Sequence, residues 1–307
     1  MLVLLATACM GTRFELVLAP SSRCAGARLR AAGEAALARI ELCDGRYSAF
    51  RRDSLVARIN REGDPRPVRL DGETYELLEA ALELQRASRG AFDAALGRAM
   101  LAWGLRGEAP AGTADRAHAP GEGFTLDPRE RTVRLAPARA IDLGAIAKGH
   151  ALDLAMSELA EGGVESALLH GGTSSIAALG SPPRADGWSV AIEAGGAERP
   201  RVVLRGGALS VSAGRGRTAG GASGPVGHVL DPRSGAPAPL GPTVAVAGPS
   251  ARVADAWSTA LCVLAARGEE AAAELPPGYS ALVLRPQGAV ELGARPSPFQ
   301  RAARRSA

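Results

Sequence analysis

The chain has 307 residues, enough for one large domain or two small ones. Apolar residues supply 46% and charged residues 22%, a globular composition, and aromatics at 4% leave the core to Ala, Val and Leu. The net charge of +4, from 36 basic against 32 acidic residues, is too small and dispersed for a nucleic-acid groove, and no apolar run reaches the roughly 18 residues of a membrane span.

The opening MLVLLATAC resembles an export signal in its apolar run, but it lacks a basic start and the run is short. Cleavage after Ala8 would put a lipid on Cys9, directly against Met10-Gly11-Thr12. Residues 2–5 and 14–18 therefore read as folded β structure. The sequence as it stands predicts a cytoplasmic protein; a true start lying upstream would make it exported or membrane-anchored. Cys9, Cys24, Cys43 and Cys262 show no C-x-x-C spacing and read as buried small hydrophobes or free thiols. His118, His150, His170 and His228 form no H-E-x-x-H motif, so a structural zinc site is not expected.

In chain order, extended segments are expected around residues 2–6 and 14–18. Leu29, Ala32, Ala36, Ile40 and Cys43 then recur at helical spacing. A second helix starts after Asp71, a good N-cap, with Tyr75, Leu78 and Leu82 on one face. Residues 107–123 read as a loop by composition. Short strands follow at residues 132–135 and near 140–143, then a helix from about 146 to 160 that ends at Gly162 and Gly163. Strand signals continue at 164–169, closing on the turn at Gly171 and Gly172, and at 188–192, 202–204 and 208–212. Residues 214–227 read as a Gly-rich loop. A strand at 243–247, a helix from the Ser250 cap to about 266 and a strand at 281–284 complete the pattern. The alternation is irregular, without a repeat and without G-x-G-x-x-G after the first strand. The expectation is an α+β fold, with antiparallel or mixed β-sheets backed by helices, and not a Rossmann fold. It forms one domain over residues 1–295, followed by a basic tail, 296–307, that carries Arg301, Arg304 and Arg305.

Four segments carry candidate chemistry. In Ser250-Ala-Arg-Val-Ala-Asp255-Ala-Trp-Ser258-Thr259, Val253, Trp257, Ala260 and Leu264 make an apolar stripe, while Asp255 and Thr259 stand four apart and meet on one helix face beside Ser258. A carboxylate grouped with hydroxyls offers the hard oxygens that Mg²⁺ takes; a polar face turned to water is the plain alternative. In Asp142-Leu-Gly-Ala145-Ile-Ala-Lys148-Gly, an acid leaves a strand and a lysine sits in the first turn of a helix, where phosphates bind readily. Capping by Asp142 with a surface Lys148 is the alternative. His170-Gly171-Gly172-Thr173 ends a strand on two glycines, for close approach to a ligand or for a tight turn only. His228, after the Gly-rich loop, is either a general acid or base or a structural histidine.

Taken together and in order, the segments resemble the ApbE family, the FAD:protein FMN transferases. Met10-Gly-Thr matches its opening M-G-T, and Tyr47-Ser-Ala-Phe50-Arg-Arg-Asp53-Ser54, with Asn60 after it, resembles S-T-Y-x-x-D-S-x-x-x-x-x-N. Gly90-Ala91-Phe92-Asp93 with the later Trp103-Gly104 resembles G-x-F-D and W-G. Asp142 to Gly149 matches D-L-G-x-I-A-K-G, His228 to Gly235 resembles H-I-I-D-P-x-T-G, and Ala254 to Ala260 resembles A-D-A-x-x-T-A. The resemblance implies an ApbE-like flavin transferase fold and Mg²⁺-dependent transfer of the FMN moiety of FAD to a Thr or Ser hydroxyl of an acceptor protein, releasing AMP. It implies that Met10, Phe50, Ala91, Phe92, Asp93, Asp142, Lys148 and the backbone at Val229 bind FAD. Ala145 (through its carbonyl), Asp255, Ser258 and Thr259 would hold Mg²⁺, with His228 or Asp255 as the base. Four features depart from the pattern: Phe50 stands where the family has Tyr, Ala95 where it has Thr, Thr173 where it has Asp, and residues 210–227 are richer in Gly and Ala. These keep two further readings open, an FAD pyrophosphatase giving FMN and AMP, and an FAD-binding protein without catalysis. No nucleic-acid partner and no membrane span are expected.

Overall fold

Alternating apolar residues start the chain as an antiparallel hairpin, β1 (Val3–Cys9) and β2 (Thr12–Leu18), joined by Met10 and Gly11. Both turn residues have positive φ, 49° and 68°, the conformation that suits the strand twist in a two-residue hairpin. The structure is a computed structural model and describes residues 1–106, 121–193, 199–213, 218–221, 224–239, 241–294 and 297–300. His118 and most of the 107–123 loop lie outside the described residues, as do 214–217, 222–223 and 301–307.

Helix α1 (Gly26–Tyr47) buries Leu29, Ala36, Ile40 and Cys43, the stripe expected from their spacing. Helix α2 (Leu55–Glu62) follows, capped by the Ser54 hydroxyl, which accepts from Ala57 N at 2.9 Å. After β3 (Val68–Arg69), helix α3 (Gly72–Ala87) begins at Asp71, whose carboxylate accepts from Thr74 N at 2.9 Å. Its buried face runs through Leu77, Leu78, Ala81 and Leu82, with Tyr75 at the margin. Then come α4 (Gly97–Ala102), β4 (Phe124–Asp127) and β5 (Thr132–Leu135), and β3, β5 and β4 form a small sheet.

Helix α5 (Ala147–Glu161) ends at Gly162, and the strands β6 (Ala167–Gly171), β7 (Ser175–Leu179), β8 (Trp188–Ala191), β9 (Arg201–Leu204) and β10 (Gly206–Ala213) follow. Two short hairpins come next, β11 (Thr218–Gly221) with β12 (Gly224–Gly227) and β13 (Leu230–Asp231) with β14 (Ala236–Pro237). Strand β15 (Thr243–Gly248), helix α6 (Ala251–Ala266) and the strands β16 (Ser280–Arg285), β17 (Gly288–Gly293) and β18 (Phe299–Gln300) complete the fold.

The main sheet has eight strands in the order β1-β2-β6-β7-β10-β15-β16-β17, and every neighbouring pair is antiparallel. Helices α1, α5 and α6 cover one face. The sheet β18-β9-β8 covers part of the other. Strand β15 displays this sandwich: Val244 and Val246 join the helix-side core, while Ala245 and Ala247 pack with Trp188, Val202 and Phe299. Both faces being buried, β15 is an unbroken apolar run. The arrangement is the α+β architecture expected from the sequence.

Several local expectations need correction. Residues 140–143 form no strand beyond a bridge between Leu96 and Ala140; the Asn60 amide takes the strand partner's place, accepting from Ile141 N at 2.7 Å and donating to Ile141 O at 2.9 Å. Part of the expected 214–227 loop is the β11–β12 hairpin, whose glycines conceal it from propensity. The strand expected at 164–169 begins only at Ala167. Within the segment given to a tail, Phe299 and Gln300 pair with β9.

All four cysteines are free, and three are buried. Burial pushes the thiols of Cys9, Cys43 and Cys262 up to about 12, which keeps them as unreactive thiols at neutral pH.

Candidate active site

A cleft of about 980 Å³ opens where the β1–β2 turn, the β6–β7 turn, the segment before α5 and the cleft-facing side of α6 converge. It lies at the upper end of the size range of small-molecule sites. Met10, Phe50, Ala91, Phe92, Asp93, Asp142, Ala145, Lys148, His228, Val229, Asp255 and Thr259 all line it. Segments far apart in sequence are thus brought to one surface.

The floor is made where α5 crosses α6. A Cβ on Gly149 would come within 2.2 Å of the Ala251 carbonyl oxygen, so only glycine permits this crossing. The close approach lets Gly149 N donate to Asp255 Oδ2 at 3.1 Å and puts the Lys148 ammonium 3.4 Å from the same oxygen. Asp255 Oδ1 accepts from Ser210 Oγ at 3.1 Å and from Ser175 Oγ at 3.5 Å. Asp255 is only 3% exposed, and this charge is held in place by one cation and three donors rather than by water. The start of α6 is fixed from α5: Asp153 accepts from Ser250 Oγ, Ala251 N and Arg252 N at 2.6, 2.6 and 3.0 Å.

Thr259 stands one turn beyond Asp255 and faces the cleft. Ser258 does not: it is fully buried, bonded to Ser210 Oγ at 3.1 Å, Ser212 Oγ at 2.8 Å and Asp255 O at 3.0 Å. It is the one residue of the expected site set that stands behind the cleft wall.

The walls are built as follows. Met10 N donates to Asp44 Oδ1 at 2.9 Å, tying the first turn to the end of α1. The turn at Ala91, Phe92 and Asp93 is buried; Phe92 N donates to Ser88 Oγ at 3.0 Å and Asp93 accepts from Ala95 N at 2.7 Å. Asp142 is gripped by Arg106 at both carboxylate oxygens and also accepts from Gly144 N at 2.8 Å. The Arg106 guanidinium lies 5.6 Å over the ring of Phe50, which is 65% exposed. Val229 O is taken by Ala238 N at 2.9 Å, and His228 beside it is half-buried on the cleft. Thr173 sits exposed on the β6–β7 turn, while His170 behind it bonds Gly172 O and lies 3.3 Å from Glu15. His150, next to Lys148 in sequence, is turned away into the core against Tyr47; burial first, then Arg252, pushes its pKa down to about 4.

Sequence reasoning missed Arg106, Ser175, Ser210 and Ser212. Ser210 and Ser212 did carry a signal, since hydroxyls two apart on an expected strand share a face. Arg106 has none, because only the folded chain sets it against Asp142.

The floor's donor chemistry fits a hard cation. Among the described residues no three His, Cys, Asp or Glu side chains gather as a metal cluster. A cation here would therefore take one carboxylate, hydroxyl and carbonyl oxygens, and the oxygens of a bound phosphate, which is how Mg²⁺ is commonly held.

The chain resembles known proteins along most of its length. It is 33% identical over 214 residues to the FAD:protein FMN transferase of Rhodobacter capsulatus, covering 66% of this chain but 40% of that protein's length. With the FAD:protein FMN transferase of Treponema pallidum it shares 30% identity over 283 residues, 80% of this chain and 75% of the relative. Among solved structures, the ApbE protein of Thermotoga maritima superposes with a TM-score of 0.82 at 25% identity, covering 96% of this chain and 97% of that one. The flavinyl transferase ApbE of Pseudomonas stutzeri follows at 0.76 and 27%, covering 96% and 95%. The model of the ApbE family matches residues 10–283. The chain belongs to the ApbE family.

Proposed function

We propose that this chain binds FAD and Mg²⁺ in the cleft and transfers the FMN moiety to a threonine or serine hydroxyl of an acceptor protein, releasing AMP. The observation that carries the reading is the floor: a buried carboxylate, a lysine and a threonine hydroxyl converge at the base of a dinucleotide-sized cleft. The names of the relatives support it.

In this reading the acceptor hydroxyl attacks the phosphorus nearer the flavin. The bond to the bridging oxygen breaks, and AMP leaves with that oxygen. The pyrophosphate is anionic and repels an incoming oxygen nucleophile. Asp255, Thr259 and the Ala145 carbonyl would hold Mg²⁺, which would supply charge neutralisation at the phosphates. Lys148 adds a fixed positive charge at the same place, pre-oriented by Asp255. The hydroxyl must lose its proton, and a positioned base contributes roughly 10²–10⁴-fold. His228 is the first candidate because it lines the cleft; Asp255 is the second. Phe50 offers an exposed ring face to the flavin, and the buried turn at Ala91 to Asp93 forms a wall.

Incubation with FAD, Mg²⁺ and a threonine-containing acceptor peptide tests the proposal. A flavinylated peptide supports transfer. Free FMN with AMP means that water is the acceptor, and bound but unchanged FAD means that the cleft only binds.

A further inference from the structure

Ser258 was grouped with Asp255 and Thr259 by spacing, yet it faces the interior. Its surroundings give it a different task. Starting from Asp255 Oδ1, oxygens follow one another without a gap: Ser210 Oγ at 3.1 Å, Ser258 Oγ a further 3.1 Å on, Ser212 Oγ 2.8 Å beyond, and Thr259 Oγ1 3.4 Å beyond that. The chain of hydroxyls leaves α6 at Asp255, passes through β10, returns to α6 at Ser258, crosses to β10 again and ends on Thr259. Its inner members, Ser210 and Ser258, are 1% and 0% exposed, so no water competes for them.

Each hydroxyl has one proton to give. The carboxylate of Asp255 only accepts, so the proton of Ser210 goes to it. Ser210 then has only lone pairs left for Ser258, so any proton in that contact comes from Ser258, whose other inward acceptor is Asp255 O at 3.0 Å. The same count gives Ser212 as donor to Ser258. The proton of Thr259 has two inward acceptors, Ser212 Oγ at 3.4 Å and Asp255 O at 3.2 Å. Every proton thus points inward, to the Asp255 carboxylate, to its main-chain carbonyl or to the next hydroxyl of the chain. What Thr259 turns to the cleft is lone pairs.

We propose that Ser210 and Ser258 are positioning residues that make Asp255 and Thr259 a single metal-binding unit, with Thr259 held as a neutral hydroxyl ligand, and that Ser258 itself binds no metal. The inference rests on the reading of the floor as a divalent-cation site. Outer partners that orient ligands typically contribute 10–100-fold to metal affinity. Loss of either serine breaks the chain, so the two substitutions should be non-additive.

The test uses the full chain with FAD, Mn²⁺ as a paramagnetic probe read by electron paramagnetic resonance, and Mg²⁺ as competitor. Parent, Ser210→Ala, Ser258→Ala, the double variant and Asp255→Ala are compared, with FAD binding in EDTA and metal-free melting temperature as controls. Expected is a Mn²⁺ affinity reduced about 10–100-fold in each serine variant. The double variant should be little weaker than either, with metal-free FAD binding preserved and no detectable site in Asp255→Ala. The same serine variants should show a raised KM for Mg²⁺ with kcat near parental at saturating metal, a split that mere loosening of the fold does not give. Serine variants with parental Mn²⁺ affinity, or additive losses in the double variant, would overturn the proposal. So would loss of binding in Ser258→Ala as complete as in Asp255→Ala, because Ser258 would then be a ligand. A parent chain that takes up no Mn²⁺ with FAD would refute the cation site itself.

Discussion

The start of α6 places Asp255 and Thr259, and it is held by one residue from another helix. Removing Asp153 withdraws three acceptor contacts from Ser250 Oγ, Ala251 N and Arg252 N. Hydrogen bonds to a charged group are worth about 1.5–3 kcal/mol each, although three on one carboxylate do not add in full. The carboxylate also faces the positive end of α6, worth up to ~2 kcal/mol when partly buried. Two effects offset this. Burial disfavours the charged carboxylate and raises its pKa despite the bonds from Ser250, Arg252 and Ala251. The Ser250 hydroxyl also keeps its own bond from Val253 N at 3.3 Å. We therefore predict a net loss of about 3 kcal/mol for Asp153→Ala, which for a chain of this size lowers the melting temperature by roughly 5 °C. Asp153→Asn, which keeps an acceptor but loses the charge, should fall between the two. Scanning calorimetry at neutral pH measures all three proteins. If Asp153→Ala melts within about 2 °C of the parent, packing alone holds α6 and the capping argument is wrong.

Three further predictions follow from the same geometry. His150 is neutral in the fold with its pKa pushed down to about 4, against an ordinary value of 6.5. The unfolded chain therefore takes up this proton first as pH falls, and stability declines between pH 6.5 and 4 by up to ~3 kcal/mol; His150→Phe should flatten that slope in urea titrations, and an unchanged slope would assign it to other groups. Gly149→Ala forces a Cβ into the α6 backbone, so it should cost about 2–4 kcal/mol in denaturant unfolding and weaken FAD binding by separating Lys148 from Asp255; a variant with parental stability and FAD affinity would contradict the crossing. Lys148→Ala should raise the Kd for FAD, whereas His228→Ala should bind FAD nearly normally and slow single-turnover transfer roughly 10²–10⁴-fold. A parental rate in His228→Ala would move the base to Asp255.

How much of this was legible in the sequence depends on where the determining partner lies. The caps Asp71 and Ser250, the stripe of α1 and the pair Asp255 and Thr259 are local patterns, and each stands in the structure as its spacing implied. Strand β15 announces itself because both of its faces are buried. Helix α2 passed unread because it is only eight residues long, so that Val56 and Ile59 are its whole buried stripe, although Ser54 is its cap. Strands β7 and β17 and the β11–β12 hairpin lie among glycines that mask propensity and are fixed by neighbours in the sheet. In the site, the motif residues were found by spacing and resemblance, but their roles in space were not. Asp153 reaches Ser250 across 97 positions and Arg106 reaches Asp142 across 36, contacts that no local pattern encodes. The inward turn of Ser258 depends on β10 lying beneath α6.

The most direct test of the proposed chemistry follows oxygen. FAD, Mg²⁺ and a threonine-containing acceptor protein are incubated with the chain in heavy-oxygen water, and the products are weighed by mass spectrometry. Transfer predicts FMN attached to the acceptor in amounts equal to the AMP released, with no solvent oxygen in either, because the acceptor hydroxyl supplies the new bond and AMP keeps the bridging oxygen. Free FMN carrying one solvent oxygen, accumulating in step with AMP while the acceptor stays unmodified, would contradict transfer and make the chain a hydrolase of FAD.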